Sequence, residues 1–188
     1  MIRPAKPSDA DSVVPLIIQA MGELAGKFVN SKSPEVISKF FLHFFQLKNN
    51  QYSFENTLVY SENEEIIGSL NAYDGASLIK LRDNFLADPM SSNETFNSHP
   101  EPETQEGEFY FDTISVKPSA QGKGIGKALI HAGIAWAKKL GHKQVGLLVE
   151  KENTRAKELY EKLEFKTQNT KIFFGGTYLH LIFNVEVN

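Results

Sequence analysis

Between Val116 and Lys127 the chain reads Val116-Lys117-Pro118-Ser119-Ala120-Gln121-Gly122-Lys123-Gly124-Ile125-Gly126-Lys127. The stretch joins a β-rich run to a helical pattern. Glycines in such a joint let the backbone curl until several N–H groups point into one concavity. The start of the helix adds its partial positive charge, and the combination suits a pyrophosphate. Gln121 offers a further donor, and Lys123 and Lys127 offer charge. Two other phosphate loops fail on spacing. A P-loop requires Ser or Thr where Ala128 stands and Gly where Gln121 stands, and a dinucleotide fingerprint requires Gly where Lys127 stands. Taken alone, the stretch also fits a glycine-rich turn that only packs helix on strand.

A second stretch, Asn153-Thr154-Arg155-Ala156-Lys157-Glu158-Leu159-Tyr160, follows a short apolar strand. Asn153 is a good helix cap. Tyr160 lies two turns on, where a hydroxyl reaches the sheet edge beside the strand ending near Val149. By itself this reads equally as a capping Asn and a core Tyr.

Together, in this order and spacing, the two stretches resemble the GNAT superfamily of N-acetyltransferases. Gln121 to Gly126 matches its Gln/Arg-x-x-Gly-x-Gly/Ala acetyl-CoA loop, and Val116-Lys117-Pro118 matches the strand end before that loop. Asn153, Ala156 and Tyr160 match its Asn-x-x-Ala-x-x-x-Tyr motif. Ile2-Arg3-Pro4-Ala5 with Asp9-Ala10-Asp11 looks like the start of a bacterial member. One departure is Glu164, where many members carry glycine before the aromatic at 165.

The resemblance implies acetyl transfer from the cosubstrate acetyl-CoA to a primary amine of a small molecule or peptide. The fourth and fifth strands would splay to admit the pantetheine arm as an added strand. Backbone groups of Ile114, Ser115 and Val116 would pair with it, and Gln121, Gly122, Lys123, Gly124, Ile125, Gly126 and Lys127 would hold the pyrophosphate. Asn153 would contact the arm, and Tyr160 would protonate the departing sulfur. An amine of pKa about 10.4 is neutral in about one molecule in 2,500 at pH 7, so a general base helps. Glu108 and Asp112 are the candidates, with Glu108 at the strand start where some members keep a catalytic glutamate. By alternation Glu108, Tyr110, Asp112, Ile114 and Val116 share one face, unless a bulge reverses it. The alternatives are a non-catalytic acetyl-CoA-binding module and an acyltransferase using another acyl-CoA or a hydroxyl acceptor.

The elements that must position these groups read as βααββ, an insertion, then βαβαββ. Helical spacing marks 10–21 and a helix from Ser33-Pro34 ending at Asn49-Asn50. Strands follow at 57–60 and 66–72, then 108–116, a helix 124–140, a strand 145–149, a helix 153–163 and strands at 171–174 and 178–185. The expected fold class is α/β (α+β): a mixed, mostly antiparallel sheet of about seven strands, with about four helices on both faces. Residues 1–188 read as one domain with an acidic insertion at about 75–107, where 77–86 has room for a short helix.

Composition narrows the partners. The 188 residues carry a net charge of −3, which argues against nucleic-acid binding by bulk phosphate neutralisation. There is no cysteine, and the five histidines form no metal constellation, so no metal is expected. No apolar run approaches the roughly 20 residues of a membrane span, which with the missing leader pattern suggests a cytoplasmic protein. A homodimer is compatible with the resemblance. In or beside the insertion stand Asp74, Asp83, Asp88, Glu94, Glu101, Glu103 and Glu106, against Lys80 and Arg82. The plain reading is a solvated loop, and the sharper one is a flap favouring a cationic acceptor: a polyamine, an aminoglycoside-like amine or a peptide amine. Phe40, Phe41, Phe44 and Phe45 exceed one helix face, which suits core packing, an acceptor site or a dimer interface.

Overall fold

The computed structural model describes residues 1–88 and 101–186. One sheet runs in the order β1-β2-β3-β4-β5-β7-β6. Its strands are β1 (Ile2–Pro4), β2 (Thr57–Glu62), β3 (Glu65–Asp74), β4 (Glu108–Val116), β5 (Gln144–Glu150), β6 (Lys166–Phe173) and β7 (Gly176–Asn184). All neighbours pair antiparallel except β4 and β5. The α-helices are α1 (Ala10–Met21), α2 (Glu23–Val29), α3 (Pro34–Gln46), α4 (Leu78–Leu86), α5 (Ile125–Lys139) and α6 (Thr154–Lys162). The mixed sheet and the helices on both faces agree with expectation. Two helices are added to the expected four: α4, which the 77–86 reading allowed, and α2.

Four helices share one face. Val13, Val14 and Ile17 of α1 join Phe28 of α2, the phenylalanines of α3 and Phe85 of α4 in one core. On α3 the apolar arc is wide because two neighbours cover it. Phe40 meets Phe85 edge to face at 5.0 Å, Phe44 meets it tilted at 4.5 Å, and Phe41 meets Tyr52 at 5.0 Å. Phe40, Phe41, Phe44 and Phe45 are all buried, each contributing roughly 1.5–3 kcal/mol. Across the sheet, Leu129, Ile130 and Ala137 of α5 pack on Leu70, Phe111 and Leu147. Gly133 lets α5 approach, since a Cβ there would sit 2.5 Å from Leu70 and Phe111.

Two irregularities of β4 shape the centre of the sheet. Asn71 faces Thr113 while Ala72 faces Phe111, so Asp112 is an extra residue on β4, a bulge. Phe109 and Phe111 pack on the α5 side, and so do Ile114 and Val116. Strict alternation therefore fails: Ile114 and Val116 do not share the face of Glu108 and Tyr110. The second irregularity is that β4 pairs with β5 only over Glu108–Phe111 and Gln144–Leu147. Beyond those residues the two strands part.

The described part of the insertion is packed, which corrects the solvated-loop expectation. Glu103 and Thr104 are buried. Arg82 of α4 donates to Glu103 Oε1 at 2.7 Å, and Lys171 of β6 donates to the carbonyls of Pro102 and Glu103. Gly75 lies so close to the Gln105 carbonyl that no side chain would fit. Glu94 lies outside the described residues. No single helix among the described residues is long and apolar enough to cross a membrane.

Candidate active site

Where β4 and β5 separate, a cavity of about 470 Å³ opens. Asp112 to Val116 form one wall, Leu148 to Glu150 the other, and Asn153, Ala156 and Tyr160 of the α6 region close a side. The backbone edges of Ile114–Val116 and of Leu148–Glu150 that face the gap have no strand partner there. An extended chain inserted between them meets two rows of free N–H and C=O groups.

A second hollow of about 510 Å³ adjoins it under the glycine loop. Gly122 and Gly124 hold φ of +78° and +81°, and a Cβ on either would meet nothing. These glycines are thus demanded by backbone conformation and not by crowding. Gly124 caps α5 without any side-chain bond, so the first N–H groups of a 15-residue helix stay open toward the hollow. Lys127 and Arg155 also line it. Gln121 turns its amide back, donating to Val116 O at 3.1 Å. Gln19 of α1 donates to the same carbonyl at 3.0 Å and to Ser115 Oγ at 2.7 Å.

At the other end of the cavity stands a buried polar cluster. Gln51 Nε2 lies 2.8 Å from Asp112 Oδ2, 2.9 Å from Glu103 Oε1 and 3.0 Å from the Tyr73 hydroxyl. Tyr73 donates to Asp112 Oδ2 at 2.7 Å. Burial pushes the Asp112 carboxyl up, against the hydrogen bonds from Gln51 and Tyr73 and the charge of Arg82. Burial, with the Asp112 charge adding to it, pushes Glu103 up to about 7. The two carboxyls share one amide donor and titrate as a pair. Burial first, and then these two charges, raises the hydroxyls of Tyr52, Tyr73 and Tyr110 well above the usual range, so they stay protonated donors. Burial alone pushes Tyr160 up to about 12.

A model of the acetyltransferase (GNAT) family matches residues 27–165. The chain belongs to that family. Mycothiol acetyltransferase of Saccharopolyspora erythraea is 41% identical over 69 residues, 37% of this chain and 22% of that protein. The Geodermatophilus obscurus counterpart is 46% identical over 59 residues, 31% and 18% of the respective chains. The chain thus spans about a fifth of the length of these curated relatives. An N-acetyltransferase structure from Staphylococcus aureus Mu50 superposes with a TM-score of 0.85 at 22% identity, over 97% of this chain and all of that one. The NatC complex bound to Gag peptide and CoA gives a TM-score of 0.61 at 18% identity, over 99% and 98% of the chains. These two structures share the fold.

Against this GNAT frame, the sequence-predicted residues fall into three groups. Tyr160, Asn153, Asp112, Gln121 and the segment Ile114-Ser115-Val116 all line the splayed cavity. Gly122, Gly124, Ile125, Gly126 and Lys127 line the hollow under the loop, while Lys123 does not. Asn153 is also the helix cap of the plainer reading, since its Oδ1 accepts from Ala156 N at 3.1 Å. Glu108 stands apart. It is buried with its Oε2 between Thr104 Oγ1 at 3.0 Å and His180 Nε2 at 3.2 Å, and it does not line the cavity. Burial would raise its carboxyl, but bonds from His180 and Thr104 and the nearby Lys171 hold it below the usual range. A base needs an open path to the proton it takes, and this carboxylate lacks one.

The sequence reading missed Gln19, Gln51, Tyr73 and Arg155. Arg155 had a signal, since it shares a helix face with Leu159 beside the Asn153–Tyr160 motif. Gln51 and Tyr73 had none, because only the tertiary fold brings them to Asp112. Among the described residues no group of three or more His, Asp or Glu could hold a metal ion.

Proposed function

We propose that the chain is an acetyl-CoA-dependent N-acetyltransferase that moves the acetyl group directly to a primary amine, with residues 1–188 acting as one transferase unit. The observation that carries this is the parting of β4 from β5 after Phe111 and Leu147, with Asp112 on the β4 wall of the gap and Tyr160 closing a side. The residues fit acetyl-CoA. The free strand edges suit its pantetheine amides, and the uncapped start of α5 with Lys127 and Arg155 suits its phosphates. When bound, it supplies the activated acetyl thioester.

The chain's own groups supply the proton transfers. The acceptor arrives as an ammonium and first gives one proton to the carboxylate pair of Asp112 and Glu103, Asp112 being the group beside the gap. The neutral nitrogen then bonds to the acetyl carbon as the carbon–sulfur bond breaks. Tyr160, protonated across the neutral range, gives its proton to the sulfur and is restored by the second proton leaving nitrogen. Amide, free CoA and one released proton balance the ammonium and the thioester. Gln19 and Gln121, both on Val116 O, hold the end of β4 in place.

The test is calorimetric binding of acetyl-CoA together with CoA release in the presence of amines. Binding with amine-dependent release supports the reading. Absence of binding overturns it.

A further inference from the structure

We infer that the acceptor is a small primary amine with an apolar or aromatic body, a single ammonium and no carboxylate. This rests on the transferase reading above and narrows it. Three features of the cavity carry the inference.

The first is charge. Glu103, Asp112 and Glu150 line the cavity, and among the described residues no lysine, arginine or histidine does. The one guanidinium in contact with this set, that of Arg82, is bound to Glu103 Oε1 at 2.7 Å. A carboxylate-bearing acceptor such as an amino acid would therefore meet three carboxyl groups and, among the described residues, no lining cation to receive it.

The second is hydrogen-bonding capacity. Glu103 uses Oε1 for both Arg82 and Gln51, and Asp112 uses Oδ2 for both Gln51 and Tyr73. The second oxygen of each carboxyl has no donor among the described residues. Glu103 is only 5% exposed, and it lines the cavity. Gln51 Oε1 is buried without a donor as well. Carboxyl oxygens with spare acceptor capacity are matched by an ammonium, which carries three donors and accepts none.

The third is the shape of the walls. Phe28 and Tyr52 meet edge to face at 6.0 Å, and Phe173 and Tyr178 at 6.1 Å. All four line the cavity and are buried. Such walls favour a flat or apolar body beside a cation. Glu150 is exposed and lies by Tyr178, whose hydroxyl is 3.5 Å from its Oε1.

The experiment measures CoA release from acetyl-CoA by the intact protein with 2-phenylethylamine, phenylalanine, spermidine and a lysine-containing peptide, beside calorimetric binding of acetyl-CoA. Phenylethylamine is expected to exceed phenylalanine in kcat/KM by at least about 100-fold, since the two differ only in the carboxylate. It is expected to exceed spermidine and the peptide too. Comparable turnover of phenylalanine, or preference for spermidine or the peptide, overturns the inference and leaves the transferase reading intact. Bound acetyl-CoA with no turnover of phenylethylamine also overturns it. If acetyl-CoA does not bind, the transferase reading fails and this inference with it. Glu103→Gln should raise the KM for phenylethylamine roughly 10- to 100-fold. The acetyl-CoA dissociation constant should stay unchanged, and an unchanged KM would count against the inference.

Discussion

The Tyr73 hydroxyl reaches across the β3–β4 pair to donate to Asp112 at 2.7 Å, at the one residue that β3 leaves unmatched. The bulge and the bond work together. The bulge frees Asp112 from the ladder next to the strand opening, and Tyr73 with Gln51 fixes where its carboxylate points. Asp112→Asn should lower kcat by about 10²–10⁴, the usual range for a positioned base. Tyr73→Phe keeps the ring and removes the bond. That bond favours the charged carboxylate, so its loss raises the pair's pKa. The base works ionised, so the acid limb of kcat/KM should move to higher pH. An acid limb that stays put in Tyr73→Phe would show that Asp112 is not the titrating group.

Tyr160 closes a side of the gap, and burial pushes its hydroxyl up to about 12. It therefore remains a proton donor through every pH at which the fold is assayed. Tyr160→Phe should cost about 10²-fold in kcat and leave acetyl-CoA binding nearly unchanged. Equal losses in binding and turnover would instead mark the tyrosine as a packing residue.

The long amphipathic helices, the glycine loop and the strand at 108–116 were legible because each pattern is local. Ile125, Leu129 and Ala137 repeat at helical spacing, and Gly122 and Gly124 mark a left-handed turn. Three features were not local. α2 is only seven residues long, with Gly22 before it and Gly26 inside it, so its stability is tertiary and it leaves little local pattern. The first half of β6, Lys166 to Thr170, is exposed on both faces at the sheet edge, so it has no alternation to read. The partnership of Glu103 with Asp112 depends on Arg82, Lys171 and Gly75 holding 101–107 against the sheet, and no spacing rule joins those residues.

On the sequence Glu108 ranks slightly ahead of Asp112, and their surroundings reverse that order. Glu108 sits under Gly146, where a Cβ would lie 2.5 Å from its Oε2. Its carboxyl titrates lower in the fold than in the unfolded chain. Such a group adds stability above its unfolded pKa, about 4.3, and loses that contribution as pH falls through the lower folded value. Glu108→Gln should lower Tm at neutral pH, as expected when one partner of a buried pair is removed. The gap from the parent should narrow below about pH 4. Turnover per folded molecule should persist. A collapse of kcat in folded Glu108→Gln would return this residue to the candidates for the base.

Gly124 and Gly133 make a contrasting pair on one helix. Gly124→Ala places a methyl in open space but at φ +81°, so the cost is conformational, about 1–2 kcal/mol. It should distort the loop and weaken acetyl-CoA binding more than it lowers Tm. Gly133→Ala forces a methyl onto Phe111 and Leu70, an overpacking of about 1–3 kcal/mol. Here Tm should fall while the dissociation constant holds. Calorimetry and thermal unfolding on both variants would show whether the loop and the core are separable in this way.

Glu164 comes just after α6 with φ +67°, a left-handed conformation in which a side chain is strained. The turn is held by Glu164 N to Glu161 O and Phe165 N to Tyr160 O, each at 3.0 Å. Helices commonly end this way with glycine in the left-handed place. Glu164→Gly would relieve about 1–2 kcal/mol of strain. It would also add roughly 0.5–1 kcal/mol of unfolded-chain entropy. The net gain should be about 0.5–1 kcal/mol, or a rise in Tm of about 1–4 °C. Because Phe165 packs on Tyr160 at 5.8 Å, the variant also tests how firmly that turn seats the tyrosine. A gain in Tm with unchanged kcat would mean the strain is separable from the acid's placement. A gain in Tm with a fall in kcat would mean the strained turn helps hold Tyr160 at the gap.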